Sequence, residues 1–336
     1  MPLRLSVLDL SPVTSASPPS EALRRSIDLA AHVDTLGYTR YWLAEHHNLA
    51  NVATTSPPIM IGQVAAATKR IRVGSGGVML PNHAPLTVAE HFRTLEALFP
   101  GRIDLGIGRA PGTDQLTMAA LRRRMEGAEQ DDFVERLHEL IAFGTDSFPD
   151  NHPFARVEAM PTDVTLPPIT ILGSSNYGAH LAAAMGLGYA FAHHFASYPA
   201  EEAMRIYREK FQASVWLDKP MAMLGVSAIC APTDEEANRI ASTADLAWLR
   251  IMRGIRAPLS SPEEIDAMGL TEADHAQIRA NRSRHSVGSP ETVKAELEAL
   301  AAACGVEELI VTSNIFDHDL RKRSYTLLAD AFGLAA

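Results

Sequence analysis

Apolar positions along this chain follow two alternating rhythms. Short, nearly continuous apolar runs read as buried strands: Leu3 to Leu10, Tyr41 to Leu43, Ile71 to Val73, Ile103 to Ile107, Ile169 to Leu172, Gly188 to Ala192, Met221 to Cys230 and Glu308 to Thr312. The stretches between them carry helical spacing. Val88, Phe92, Leu95 and Phe99 stand four, three and four residues apart, one face of a helix that Pro100-Gly101 ends. Leu23, Ile27, Ala30 and Ala31 share the face of a helix starting at Glu21, with Ser20 as its cap and Gly37 beyond its end. Further helices are expected over Ile59 to Thr68, Asp131 to Phe143, up to Met185, Glu201 to Trp216 and Asp234 to Met252. Ser289 caps another, with Pro290 at its first position, and Ser324 to Phe332 closes the chain.

Eight strands with helices between them are the count of an α/β (β/α)8 TIM barrel, and such a barrel fits residues 1–336 as a single domain. Two segments break the alternation. Phe148 to Pro168 holds five prolines and no helix period, and Ala257 to Ser286 is irregular and charged. Both are expected as insertions at the barrel rim. The arginines Arg122 to Arg124 read as a solvated face or as a patch that steers an anionic partner.

Composition narrows the partners. With 46% hydrophobic and 21% charged residues the chain is an ordinary globular one. A net charge of −10 argues against nucleic acid or an anionic membrane. No apolar run approaches a membrane span or a signal peptide. Cys230 and Cys304 have no metal or disulfide spacing, and a reducing, cytoplasmic setting is expected.

Candidate chemistry gathers where strands end, because a barrel brings all its C-terminal strand ends to one face. Gly74-Ser75-Gly76-Gly77 reads most simply as a tight turn; it also lets backbone approach a flat ligand or adopt an unusual peptide geometry. Arg109 follows Gly108 as a fixed positive charge, where a phosphate or other anion is expected. Gly173-Ser174-Ser175-Asn176-Tyr177-Gly178 joins a strand to a helix, either as an anion site or as a polar capping loop. His46, between Glu45 and His47, is placed for proton exchange or for a structural hydrogen bond, and His193-His194 carries the same ambiguity. The histidine pairs lack metal-ligand spacing, so no metal is expected.

Three motifs in register go further. Trp42-Leu43-Ala44-Glu45-His46-His47, Val73 to Pro81 with His83 and Pro85, and Gly101 to Arg109 together resemble the bacterial luciferase-like, flavin-dependent monooxygenases. The resemblance resumes at Leu172 to Ala183 and at Val287 to Pro290. It implies a TIM barrel that binds FMN as FMNH2, delivered by a separate NAD(P)H:flavin reductase. It implies a cis peptide at Gly76-Gly77 against the flavin ring, and a phosphate held by Arg109 and the loop of Ser174, Ser175, Tyr177 and Gly178. His46 takes the place of the family's catalytic histidine. The luciferases carry a reactive cysteine where Gly108 stands here, so ordinary oxygenation rather than light emission is expected. The implied reaction runs through a C4a-peroxyflavin that passes one oxygen atom from O2 to a small organic substrate, with both insertions closing over the site. The family also implies a homodimer through the helices Ile59 to Thr68 and Leu86 to Phe99. Rival readings are an F420-dependent hydride-transfer enzyme of the same fold, a non-catalytic flavin-binding protein and a metal-dependent barrel hydrolase.

Overall fold

Runs that are apolar on both faces suit parallel strands covered by helices, and they build such a sheet here. The computed structural model describes residues 3–110, 112–122 and 132–335. The chain opens with β1 (Arg4–Asp9), α1 (Pro19–Thr35), β2 (Arg40–Leu43), α2 (Pro57–Ala67), β3 (Arg72–Ser75) and the short β4 (Val78–Met79). It continues with α3 (Pro85–Leu98), β5 (Ile103–Gly108), α4 (Gln115–Arg122), α5 (Phe133–Thr145), β6 (Ile169–Gly173), α6 (Asn176–Met185) and β7 (Gly188–Ala192). There follow α7 (Ala200–Lys210), β8 (Ala222–Cys230), α8 (Asp234–Met252), α9 (Pro262–Met268) and α10 (Glu272–Arg282). The last elements are β9 (His285–Gly288), α11 (Pro290–Cys304), β10 (Glu308–Thr312) and α12 (His318–Phe332).

Eight of these strands close a barrel in the order β1-β2-β3-β5-β6-β7-β8-β10, with β10 returning to β1. Every pairing among them is parallel, so the fold is the expected (β/α)8 barrel. The sequence did not announce β4 or β9. β4 continues the line of β3 and pairs with β5, while β9 pairs with the outer half of β8.

Several helix ends differ from expectation. α1 begins at Pro19 with Pro18 as its N-cap and no side-chain cap, so Ser20 lies inside the helix; a proline at the first position needs no hydrogen-bond partner. α7 stops at Lys210 because Phe211 turns extended, well short of Trp216. α12 starts at His318, where Asp317 accepts from the Leu320 N–H, and Ser324 lies buried within it. α11 starts as expected, with Ser289 accepting from the Thr292 N–H and Pro290 following. Arg122 donates to Asn82 Oδ1 (3.1 Å) and so is tied to the loop after β4. Arg123, Arg124 and the helix start at Asp131 lie outside the described residues.

The two insertions sit at opposite ends of the barrel. Phe148 to Pro168 leaves the end of α5 and enters the start of β6, so both its ends lie at the N-terminal end of the barrel. Arg93 of α3 donates to its Ala159 carbonyl, and Leu166 packs against Gly144 of α5. It does not close over the C-terminal face, contrary to the expectation above. Ala257 to Ser286 does lie at the C-terminal rim. Leu259 exchanges backbone hydrogen bonds with Val13 and Ser15 (2.8 Å each), and Arg256 reaches the Asn48 carbonyl (2.8 Å). It is also mostly regular: Ser261 with Glu264, and Thr271 with Asp274, form capping boxes that start α9 and α10.

Charge fills the N-terminal end of the barrel interior. Arg40 of β2 binds Asp104 of β5 (2.7 Å) and Glu308 of β10 (2.8 Å). Arg72 and the Trp42 indole also donate to Asp104, at 2.6 and 3.1 Å, and Ser6 donates to Glu308 (2.7 Å). Burial works against the charge on Arg40, but Asp104 and Glu308 outweigh it and hold its pKa above the usual value. Among the described residues, no helix is long and apolar enough to cross a membrane.

Candidate active site

Side chains alternate in and out along each strand, so inward positions can be followed up the barrel two residues at a time. Above the charged network comes a layer holding Leu8, Trp42, Leu172, Ala190, Met223 and Ile310, which pack together. The next inward positions are Ala44, Gly76, Gly108, Ser174, Ala192, Gly225 and Thr312, all small, with Leu10, just past β1, the one large side chain. Leu8 and Leu172, well inside the sheet, remain partly exposed, which requires open space above them. The barrel is therefore filled at one end and hollow at the other. Thr312 Oγ1 is buried at this level without a hydrogen-bond partner.

The Gly76–Gly77 peptide that bounds this space is cis. Gly74 pairs with Asp104 and Val78 with Ile107, so the glycine segment holds one residue more than β5 opposite it. Ser75 fills the resulting break, its hydroxyl donating to the Gly106 carbonyl (2.8 Å) and accepting from the Gly106 N–H (3.0 Å). At Gly77 backbone excludes a side chain, and at Gly76 a leucine would have to move for one. A Cβ on Gly77 would lie 2.8 Å from the Gly106 carbonyl oxygen, and one on Gly76 would lie 2.7 Å from Leu8 Cδ1.

Glu45 ties β2 to this segment. Fully buried, it accepts from His47 Nε2 (3.0 Å), His83 Nε2 (2.9 Å) and the Met79 N–H (2.9 Å). Burial pushes its pKa up, but the donors from His83, His47 and Met79 win and keep it below the usual carboxylate value. The next residue, His46, is only partly buried. Its Nδ1 contacts the Gly112 carbonyl (3.4 Å), and a carbonyl only accepts, so Nδ1 carries the hydrogen and Nε2 is left as an acceptor. Burial holds the His46 pKa below the usual histidine value, against the opposing Gly112 carbonyl and Glu45 charge. His46 is thus held toward its neutral form.

Arg109 and the loop after β6 meet, as a barrel requires of adjacent strand ends. The Arg109 guanidinium lies 4.2 Å from the centroid of the Tyr177 ring, in the first turn of α6. Ser175 is the N-cap of α6 but makes no side-chain cap bond, so its hydroxyl is not committed to the helix. Ser174 is half-buried on the barrel side. Gly178 serves packing: a Cβ there would stand 3.2 Å from the Tyr189 ring.

Sequence reading left His194 ambiguous; it joins this site. It follows β7, and its Nδ1 donates to the Gly225 carbonyl of β8 (3.1 Å). Burial is the main cause that lowers its pKa, to about 4, with the neighbouring His285, His193 and His46 adding repulsion. His193 instead has Glu201 and Arg284 as its charged neighbours. The double histidine after a strand was the signal, but nothing in it says which ring turns inward. A separate groove of about 430 Å³, lined by Glu135, His138, Glu139, Phe148 and His152, lies outside the barrel against α5, away from every residue above. Among the described residues, no group of three or more His, Cys, Asp or Glu is placed to hold a metal.

Known proteins resemble this chain over its full length. Residues 3–308 match the sequence profile of the luciferase-like monooxygenases. A protein of Bacillus subtilis (strain 168), YvbT, is 44% identical over 98% of this chain and 96% of its own. A luciferase-like monooxygenase of Escherichia coli (strain K12) is 39% identical over the same shares. The N-acetyl-S-alkylcysteine monooxygenase of Bacillus subtilis is 32% identical over 98% of each chain. Among solved structures, apo-MsnO8 superposes with a TM-score of 0.91 at 40% identity, covering 99% of both chains. The FMN complex of a 3,6-diketocamphane monooxygenase component from Pseudomonas putida (TM-score 0.71, 17% identity, 98% of this chain and 97% of that one) shares the fold. So does an F420-dependent secondary alcohol dehydrogenase (TM-score 0.69, 14% identity, 100% of both chains).

Proposed function

Because this chain belongs to the luciferase-like monooxygenase family, we propose that it uses FMN in its reduced form, FMNH2, to place one oxygen atom of O2 into a small organic substrate. The other oxygen atom leaves as water. The observation that carries this reading is the meeting of Arg109 with Tyr177 beside the first turn of α6, at the edge of the hollow layer of small side chains. A charged fork and a helix start suit a phosphate, and a hollow floored by glycine and alanine suits a flat ring.

When bound, reduced flavin supplies the two electrons that O2 activation requires. The chain does the rest. Arg109, the Ser174 and Ser175 hydroxyls and the N–H groups opening α6 hold the phosphate, and Tyr177 keeps the guanidinium flat. Gly76 and Gly77, without side chains, would leave room for the ring. His46, neutral with Nε2 open, accepts a proton there and returns it. Arg256, tied to Asn48 and Asp114, holds the rim segment across the mouth and limits water. The relative that acts on N-acetyl-S-alkylcysteine makes S-alkyl thioethers the first substrates to screen. A separate NAD(P)H:flavin reductase supplies FMNH2, which accords with a cytoplasmic enzyme. A homodimer covers Ile59 on α2 and Leu98 on α3, both largely exposed.

The test is anaerobic titration with FMNH2, then rapid mixing with O2 under absorbance detection. Tight binding, with a transient species distinct from both reduced and oxidised flavin, is the expected result. Binding of FMNH2 with immediate release of oxidised flavin and peroxide, even with thioether present, rules out the monooxygenase reading. No binding rules out FMN and puts F420 in its place.

A further inference from the structure

We propose that His194 contacts the flavin ring and favours its reduced form; this rests on the FMN reading above and deepens it. The ring of His194 is fixed from two strands. The Gly225 carbonyl of β8 accepts from both the His194 backbone N–H (3.3 Å) and Nδ1 (3.1 Å). His285 of β9 donates from Nε2 to the His194 carbonyl (3.2 Å), and the Phe195 ring meets the imidazole edge-on at 4.7 Å. Since Nδ1 must carry the hydrogen, Nε2 carries a lone pair.

A Cβ on Gly225, an inward position of β8, would lie 3.4 Å from this imidazole, and His46 is near enough to oppose its protonation, so the ring stands at the mouth of the barrel. His46 faces the same space and is an acceptor for the same reason. The two rings cannot satisfy each other while both are neutral. The donor has to come from water or from a bound ligand. Flavin gains N–H groups on its central and pyrimidine rings when it takes up two electrons and two protons, whereas the oxidised ring offers only the N–H that both forms share. A fixed acceptor therefore binds the reduced ring better than the oxidised one.

The experiment compares the wild-type protein with His194→Asn, whose amide still donates to the Gly225 carbonyl but has no acceptor at the Nε2 position. Affinity is measured for FMN by fluorescence, for FMNH2 anaerobically, and as the midpoint potential of the bound flavin. The expected result is about a tenfold loss of FMNH2 affinity with little change for FMN, the scale of one unmade hydrogen bond. The potential then falls by about 30 mV for this two-electron couple. Equal loss of both forms, or no loss, overturns the role of His194 and leaves the FMN reading standing. Wild-type protein that binds neither form overturns both. Should the variant fold poorly, 15N-histidine spectra of the wild type decide: the His194 Nε2 resonance moves on adding FMNH2 and holds on adding FMN, and movement with neither refutes the contact.

Discussion

Arg40 and Arg109 both stand inside or beside the same barrel, and their surroundings could hardly differ more. Arg40, at the N-terminal end, is buried between two carboxylates on β5 and β10. Arg109, at the C-terminal end, is exposed and stacked on a tyrosine beside a hollow lined with glycine, alanine and serine. The comparison teaches what a charge is for. A charge whose partners all come from the chain is spent on holding strands together. One that stacks on a ring at an exposed strand end stands where a ligand can reach it. The histidines divide likewise, since His47 and His83 are committed to the Glu45 carboxylate while His46 and His194 are held only through Nδ1, by backbone carbonyls.

The most severe way to test this division is at the closed end. Asp104→Ala leaves Arg40 buried with Glu308 alone, removes the acceptor for the Trp42 indole and leaves Arg72 only backbone carbonyls. Breaking one member of a buried ion-pair network costs about 3–5 kcal/mol, so the denaturation midpoint should drop sharply. Flavin affinity of the protein that remains folded should be unchanged. At the open end the expectation reverses. His46→Ala should slow turnover by about 100-fold or more, the usual contribution of a positioned acid–base group, while FMN affinity and unfolding midpoint stay close to wild type. Loss of affinity in step with turnover would instead make His46 a binding residue.

Acid should separate the two ends as well. In the unfolded chain His46 and His194 take up protons near pH 6.5, but burial depresses both in the folded protein, His194 to about 4. The unfolded state then binds more protons between those values. Stability is complete above about 6.5 and falls as pH drops toward 4, by on the order of 2 kcal/mol for His194 after allowing for its partial contact with solvent. His194→Asn should flatten that decline. An unchanged acid limb would mean that the ring is not desolvated.

The architecture was legible because its signals are local. A β-branched run, a proline at a helix start and a glycine past a helix end each act within a few residues, and eight such alternations leave little choice of fold. The site was legible as far as strand ends mark it: Glu45, His46, Gly76, Gly77 and Arg109 all stand there. What failed needs relations between distant segments. That Phe148 to Pro168 lies away from the mouth follows from its place after a helix and before a strand, a matter of direction that composition does not carry. Ser261-Pro262-Glu263-Glu264 and Thr271-Glu272-Ala273-Asp274 were readable capping boxes, overlooked because the segment looks charged and irregular. The hollow layer needs the register of all eight strands, since no single strand says that its alanine or serine stands level with six other small residues.

The finest test concerns Arg109, where the proposed ligand is a phosphate and not the ring. If the guanidinium holds a phosphate, its removal should matter only to flavins that carry one. Arg109→Ala should weaken FMN by about tenfold, one charge-assisted hydrogen bond at an exposed site, and should leave riboflavin affinity unaltered. Arg109→Lys keeps the charge but loses the planar fork and the flat stack on Tyr177, so it should recover only part of the loss. A wild type that binds riboflavin as tightly as FMN would break the comparison at its open end. Arg109 would then be, like Arg40, a charge committed to the protein's own frame.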